Sequence, residues 1–225
     1  MLRLLVLAGL AMTMLGSASA TAQEATYYTV TYMEAGPILS RPAAVALRDF
    51  RDAARKDPSN VSLEILQRMD RPNQFVVLGS WTDQKAFEAH WATTHANTLG
   101  AKIETMLAAP NDTRQHTGLS VVPATAIPAS AVYVVTHVDV VPPQKDNAVE
   151  ALKQLAEDSR GHVGNLRFDV WQQTNRPNHF TVIEAWSNRG AFDVHQMQKT
   201  TKDFRGKLIT MTGSLYDERL YKSVP

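Results

Sequence analysis

The chain contains one stretch twice. Asn60 to His90 recurs without a gap as Asn165 to His195, at a constant offset of 105 residues. That offset pairs Arg71-Pro72-Asn73 with Arg176-Pro177-Asn178, and Phe75 with Phe180. It also pairs Trp81 with Trp186, Ala86-Phe87 with Ala191-Phe192, and His90 with His195. A chain of 225 residues built on such a doubling is expected to fold as two similar units of about 100 residues each, large enough for a packed core apiece.

The order of elements is the same in both units. In the first, Tyr27 to Met33 alternates and is rich in β-formers, so it reads as a strand. After a Gly36-Pro37 break, Ala43 to Lys56 has helical spacing. Asp57-Pro58 ends that helix, because proline disfavours helical backbone in the residue before it. Val61 to Met69 and Gln74 to Trp81 are strands around the turn sequence Asp70-Arg-Pro-Asn73. Helices capped at Thr82 or Asp83 and starting near Ala96 follow, then a strand from Thr113 to Val122. The second unit repeats this from Val132, with its last strand predicted at Ser214 to Tyr221.

Each unit is therefore β-α-β-β-α-β, the ferredoxin-like pattern, with helices on one face of a four-stranded sheet. The other face needs a partner, and the second unit supplies it. Two such sheets packed face to face and closing at their edges make an intrachain α+β barrel with an interior between them. The expected organisation is a leader over residues 1–22, a first domain over 23–122, a small-residue linker over 123–130 and a second domain over 131–225.

Composition narrows the functional classes. With 23 basic and 22 acidic residues, no basic tract and no basic stripe among aromatics, a nucleic-acid partner is not expected. Arg3 followed by apolar Leu4 to Leu15 and two A-x-A sites, ending at Ala20 and Ala22, reads as a cleaved secretory signal. The protein is thus expected to be periplasmic or secreted, with no membrane attachment after cleavage. Its lack of cysteine rules out disulfides, thiolate metal sites and a thiol nucleophile.

The pattern Asn175-Arg-Pro-Asn178, a β-run through Glu184-x-Trp186, then Ala191-Phe192 and His195 resembles the antibiotic biosynthesis monooxygenase (ABM) domain. That family belongs to the dimeric α+β barrel superfamily. The resemblance covers both halves and implies a fused tandem version of domains that usually dimerise. It also implies a small-molecule ligand of aromatic or quinol type and oxygen chemistry without a cofactor. The sequence leaves open whether such barrels associate further as homo-oligomers. Heme-degrading relatives carry a first-strand Asn, a helix Trp and a later His; here those positions hold Thr136, His195 and Arg205, and Thr31, His90 and Gly100 in the first half, so heme degradation is not expected. Phe192 and Phe87 stand where cofactor-free members favour a tyrosine.

A cofactor-free oxygenase must deprotonate an electron-rich substrate in a dry cavity and hold the resulting oxyanion. His195 and His90 suit proton transfer, although packing would also place a histidine twice. Trp186 shares a face with Phe180, Val182 and Glu184; if that face is the barrel interior, Trp186 and Glu184 line the cavity, as does Trp81 in the first half. His137 and Glu184 sit on neighbouring strands and replace Tyr32 and Gly79 of the first half. Their approach would make one asymmetric site in the second half, with catalytic His137, Glu184 and His195 and with Tyr32 adding a hydroxyl. Trp171 is either core or cavity.

Two functions compete with a quinol-type monooxygenase. One is a non-enzymatic periplasmic barrel that binds a small aromatic or apolar ligand; the other is a purely structural tandem domain with a filled interior.

Overall fold

The computed structural model describes residues 26–123 and 125–225; the predicted leader lies outside the described residues. The first half runs β1 (Tyr27–Glu34), α1 (Ser40–Ala54), β2 (Asn60–Arg68), β3 (Gln74–Trp81), α2 (Gln84–Trp91), α3 (Thr94–Glu104) and β4 (Asp112–Ser120). The second runs β5 (Val132–Asp139), α4 (Lys145–Arg160), β6 (Asn165–Gln173), β7 (His179–Trp186), α5 (Arg189–Met197), α6 (Lys199–Ile209) and β8 (Asp217–Ser223). Proline 42 does not delay α1, because a proline in the first turn forfeits only an N–H that has no intrahelical partner. β8 begins at Asp217 rather than Ser214: Val140 bridges to Thr212, and the Thr212 hydroxyl turns to the Ser214 carbonyl, so that segment closes a loop.

The eight strands close into one barrel in the order β1-β3-β2-β8-β5-β7-β6-β4. Every pairing is antiparallel. Two seams join the halves. Leu66, Gln67 and Arg68 of β2 pair with Ser223, Lys222 and Tyr221 of β8, and His116 to Ser120 of β4 pair with Gln173 to Val170 of β6. Both sheet edges of each half are thereby covered, which removes the exposed N–H and C=O rows of an open sheet.

The Arg-Pro-Asn turns are structural in both copies. Gln74 N–H donates to Arg71 O at 2.9 Å and His179 N–H to Arg176 O at 2.8 Å. Asn73 Nδ2 then donates to Ala35 O at 3.1 Å and Asn178 Nδ2 to Val140 O at 2.7 Å, tying each hairpin tip to the end of the first strand of its half.

Three cores result. Alternate residues of each sheet face its own helices: Leu63, Val77 and Trp81 pack under α1 to α3, and Phe168, Val182 and Trp186 under α4 to α6. The opposite residues fill the barrel, where Tyr28, Val30, Leu78, Tyr133, Trp171 and Ile183 form a third cluster. Across one end of the barrel, Arg167 of β6 donates to Glu64 Oε2 of β2 and to Asp169 Oδ2, both at 2.6 Å. Among the described residues, no helix is long and apolar enough to cross a membrane.

Candidate functional site

Both faces of each sheet are covered, so the decisive question is which face each candidate side chain occupies. Trp186, Glu184 and His195 are on the helix side of the second half. Glu184 is buried on β7; Trp186 Nε1 donates to its Oε2 at 2.8 Å, and His195 Nε2 of α5 lies 3.7 Å from the same oxygen. The His195 ring packs on Trp186 at 4.5 Å between centroids, and its Nδ1 meets Nδ1 of His162 at 2.9 Å.

His137 projects the other way, into the barrel. On β5 it stands opposite Thr181, whereas Glu184 is opposite Val134, and the two side chains leave the sheet on opposite faces. The expected His137–Glu184 pair therefore does not form, because the two positions have opposite parity on neighbouring strands. His137 Nε2 instead meets His179 Nδ1 at 3.3 Å. Tyr32 also points into the barrel, beneath the guanidinium groups of Arg114 and Arg219 at 4.9 and 5.7 Å from its ring centroid. Trp171 is fully buried there and packs on Tyr28. The barrel interior is thus filled by side chains, and it is not the face that Trp186 and Glu184 line. No cluster of His, Cys, Asp or Glu among the described residues has the arrangement of a metal site.

One open space of about 180 Å³ lies at the β2–β8 seam, lined by Arg68, Asp70, Arg189 and Glu218, and another lies on the helix side of the first half. A cavity of about 50 Å³ is bounded by Thr31, Val77 and Trp81 of the sheet and by Phe50 and Ile103 of α1 and α3. Met33, Trp91, Glu104 and Asn111 form its rim. Its origin is visible in the offset of 105. Gly79, between Val77 and Trp81 on β3, corresponds to Glu184, and Gly100 on α3 corresponds to Arg205. Asn111 corresponds to Tyr216 and Leu63 to Phe168.

The second half fills the same volume with larger, charged groups. Arg205 Nη2 donates to Glu218 Oε2 at 2.9 Å, Gln196 Nε2 donates to Glu218 Oε1 at 2.8 Å, and Tyr216 OH lies 3.3 Å from Glu218 Oε2. The expected polar site in the second half is a network around Glu218 in which Arg205 Nε stays unpartnered, and this cavity lies in the half that carries Gly79 and Gly100.

Both halves leave buried polar atoms without partners, and in the first half two of them belong to Trp81 and its neighbour His90. Trp81 is 1% exposed and lines the cavity, yet its Nε1 has no acceptor; His90 Nε2 has no partner either. Their relative placement repeats that of Trp186 and His195. Asp83 caps α2 by accepting from Ala86 N–H at 2.8 Å, and the last turn of that helix packs His90 on Trp81 at 4.9 Å between centroids.

His90 Nδ1 meets Asp57 Oδ2 at 3.4 Å. Hydrogen bonds from Ser59, offset in part by burial, hold the Asp57 carboxyl below its ordinary range, so it is an ionised acceptor. Burial lowers the His90 pKa against the opposing pull of Asp57. A neutral His90 that donates from Nδ1 to Asp57 presents the Nε2 lone pair. The sequence presents Gly79 and Gly100 only as the counterparts of Glu184 and Arg205, and Asp57 only as a helix stop; the same offset of 105 pairs Asp57 with His162.

An α+β barrel with a helix-side cavity floored by a strand-end tryptophan is one member of a recognisable class, and sequence comparison names it. The model of the antibiotic biosynthesis monooxygenase family matches residues 43–101 and 131–207. The chain belongs to that family, as a tandem member. A candidate monooxygenase of Bacillus subtilis (strain 168), YcnE, is 24% identical over 70 residues, covering 31% of this chain and 70% of its own. The crystal structure of a candidate monooxygenase from Fusobacterium nucleatum superposes with a TM-score of 0.77 at 14% identity, over 89% of this chain and 93% of that one. An anthrone oxidase-like protein superposes at 0.72 with 15% identity, over 91% and 93%. At such identities the two structures speak for the fold alone.

Proposed function

We propose that the chain is a cofactor-independent monooxygenase acting on a quinol or phenolic small molecule, and that the first-half cavity is where it acts. The observation that carries this is the unpaired Trp81 Nε1, a buried donor on a residue that lines a cavity walled by both apolar and polar side chains. A buried N–H without an acceptor costs about 1–3 kcal/mol, and a substrate oxyanion would relieve that cost as charge develops on it. The surrounding Phe50, Val77 and Ile103 exclude water, which strengthens that interaction. The cavity is smaller than the roughly 150 Å³ that admits benzene, so a ring enters as the rim side chains Met33 and Trp91 move aside.

The test is oxygen uptake with a panel of quinols, comparing wild type with Trp81→Phe. Uptake above background that falls about tenfold or more in the variant supports the reading. Ligand binding without uptake by wild type would replace it with the non-enzymatic binding barrel. The leader over residues 1–22 supports an exported, periplasmic or secreted protein; an N-terminus at Gln23 in protein recovered outside the cytoplasm would test this.

A further inference from the structure

β2 and β8 stay paired only over Leu66 to Arg68. Met69 N–H then donates to Leu220 O at 3.0 Å, β2 turns away into its hairpin, and β8 extends to Asp217 without it. The open space of about 180 Å³ lies where the two strands part, beside Asp70 of the hairpin and Arg189 at the start of α5. The other seam shows that barrel closure does not need the charges found here. At the offset of 105, Arg68, Asp70, Arg189 and Glu218 correspond to Gln173, Asn175, Gln84 and Thr113, all uncharged, and β4 and β6 pair there all the same. The charged set is a property of this pocket rather than of the fold.

What that set leaves unspent decides what the pocket can hold. Its carboxylates are taken. Arg68 forks Asp70 through Nε and Nη2 at 2.7 and 3.0 Å, and Glu218 accepts from Arg205 and Gln196 at 2.9 and 2.8 Å. The third Arg68 nitrogen is engaged too, donating to Gln74 Oε1 at 2.8 Å. Arg189 is different: its Nε donates to Asp193 Oδ1 at 2.7 Å, and its two terminal nitrogens make no hydrogen bond among the described residues. Arg219, also on the pocket wall, spends Nε and Nη2 on Asp217 and keeps Nη1. The uncommitted groups are donors carried by cations, and a guanidinium cannot accept.

We propose that this pocket binds one oxyanion per chain, a carboxylate or phosphate group of a small molecule, held by the terminal nitrogens of Arg189 with Arg219 as a second donor. The paired N–H groups of a guanidinium match two oxygens of such a group. Each acid nearby is already paired with an arginine, and Asp193 is 54% exposed, so solvent screens its repulsion of the added charge. The site is separate from the first-half cavity and does not depend on the chemistry assigned there.

The test is calorimetric titration of the full chain at low ionic strength with inorganic phosphate and, separately, with acetate. The expected result is one saturable site per chain for at least one of the two anions. Saturation by phosphate alone assigns a phosphate group, and by acetate alone a carboxylate. Arg189→Gln, which installs the residue of the other seam, should weaken that binding about tenfold or more. Its urea midpoint should stay near that of wild type, because the Arg189 side chain is 60% exposed. Trp81→Phe should leave anion binding unchanged. Saturation by neither anion in wild type, or undiminished affinity in Arg189→Gln, would overturn the proposal; loss of anion binding in Trp81→Phe would overturn it as well, by moving the site to the first-half cavity.

Discussion

Glu184 and Gly79 occupy the same position in the two copies of the repeat, one closing a space beside a tryptophan and the other leaving it open. Gly79 is not merely vacant. A Cβ built on it would lie 2.5 Å from Thr29 Oγ1 and 2.8 Å from Trp81 Nε1, so both groups lean into the room that a side chain would need. A side chain at position 79 would therefore displace the indole as well as fill the cavity.

The converse change should open the second half. Replacing Glu184 and Arg205 together by glycine restores the pair found at Gly79 and Gly100. The number of phenol molecules bound per chain should rise from one to two, read from the calorimetric stoichiometry.

The buried Glu184 gives stability a definite slope on pH. Burial pushes its pKa up to about 8 from an ordinary 4.5, against the lowering effect of the Trp186 hydrogen bond. The folded state then holds a proton that the unfolded state releases, so this group's contribution is full below about 4.5 and is lost as pH rises through about 8. Each displaced unit is worth about 1.4 kcal/mol. Glu184→Gln should flatten the fall in the urea midpoint between those two pH values.

Histidines set the opposite slope on the acid side. Burial pushes His116 down to about 3 and His137 to about 4. Both are neutral when folded and charge more readily when unfolded, so their stabilisation is present above about 6.5 and is lost as pH falls towards those values. His116 donates from Nδ1 to the Arg114 carbonyl at 3.1 Å, leaving Nε2 to accept from the Thr181 hydroxyl at 3.0 Å. His116→Gln should lose less melting temperature than wild type between pH 7 and pH 5.

Arg167 joins the halves through charge. It pairs Glu64 of the first half and Asp169 of the second, and Asp169 is 2% exposed. Arg167→Ala leaves two carboxylates near each other without a cation, and breaking a buried pair in this way costs about 3–5 kcal/mol. Urea unfolding should show the loss as a lower midpoint.

Much of the fold was legible in the repeat. The order of strands and helices, the hairpin turns and the face-to-face pairing all follow from periods and breakers that the two copies share. The site was harder to read because both faces of these sheets are buried. In a half-solvated sheet, polar residues mark the outer face. Here β7 is buried along its whole length from Phe180 to Trp186, so alternation groups Glu184 with Trp186 but does not say whether they face helix or barrel. The same ambiguity placed His137 beside Glu184. Which half keeps the cavity was carried by two glycines, whose contribution is an absence and which leave no periodic trace.

The β2–β8 and β4–β6 seams have a genetic consequence. Two identical subunits meeting at such seams would share every substitution, so a carboxylate that closed one site would close both. Encoding the halves in tandem gives each its own codons at positions 79 and 184. One copy is then free to become a permanent scaffold, and the other can hold a gap that a symmetric pair would have had to keep, or lose, twice.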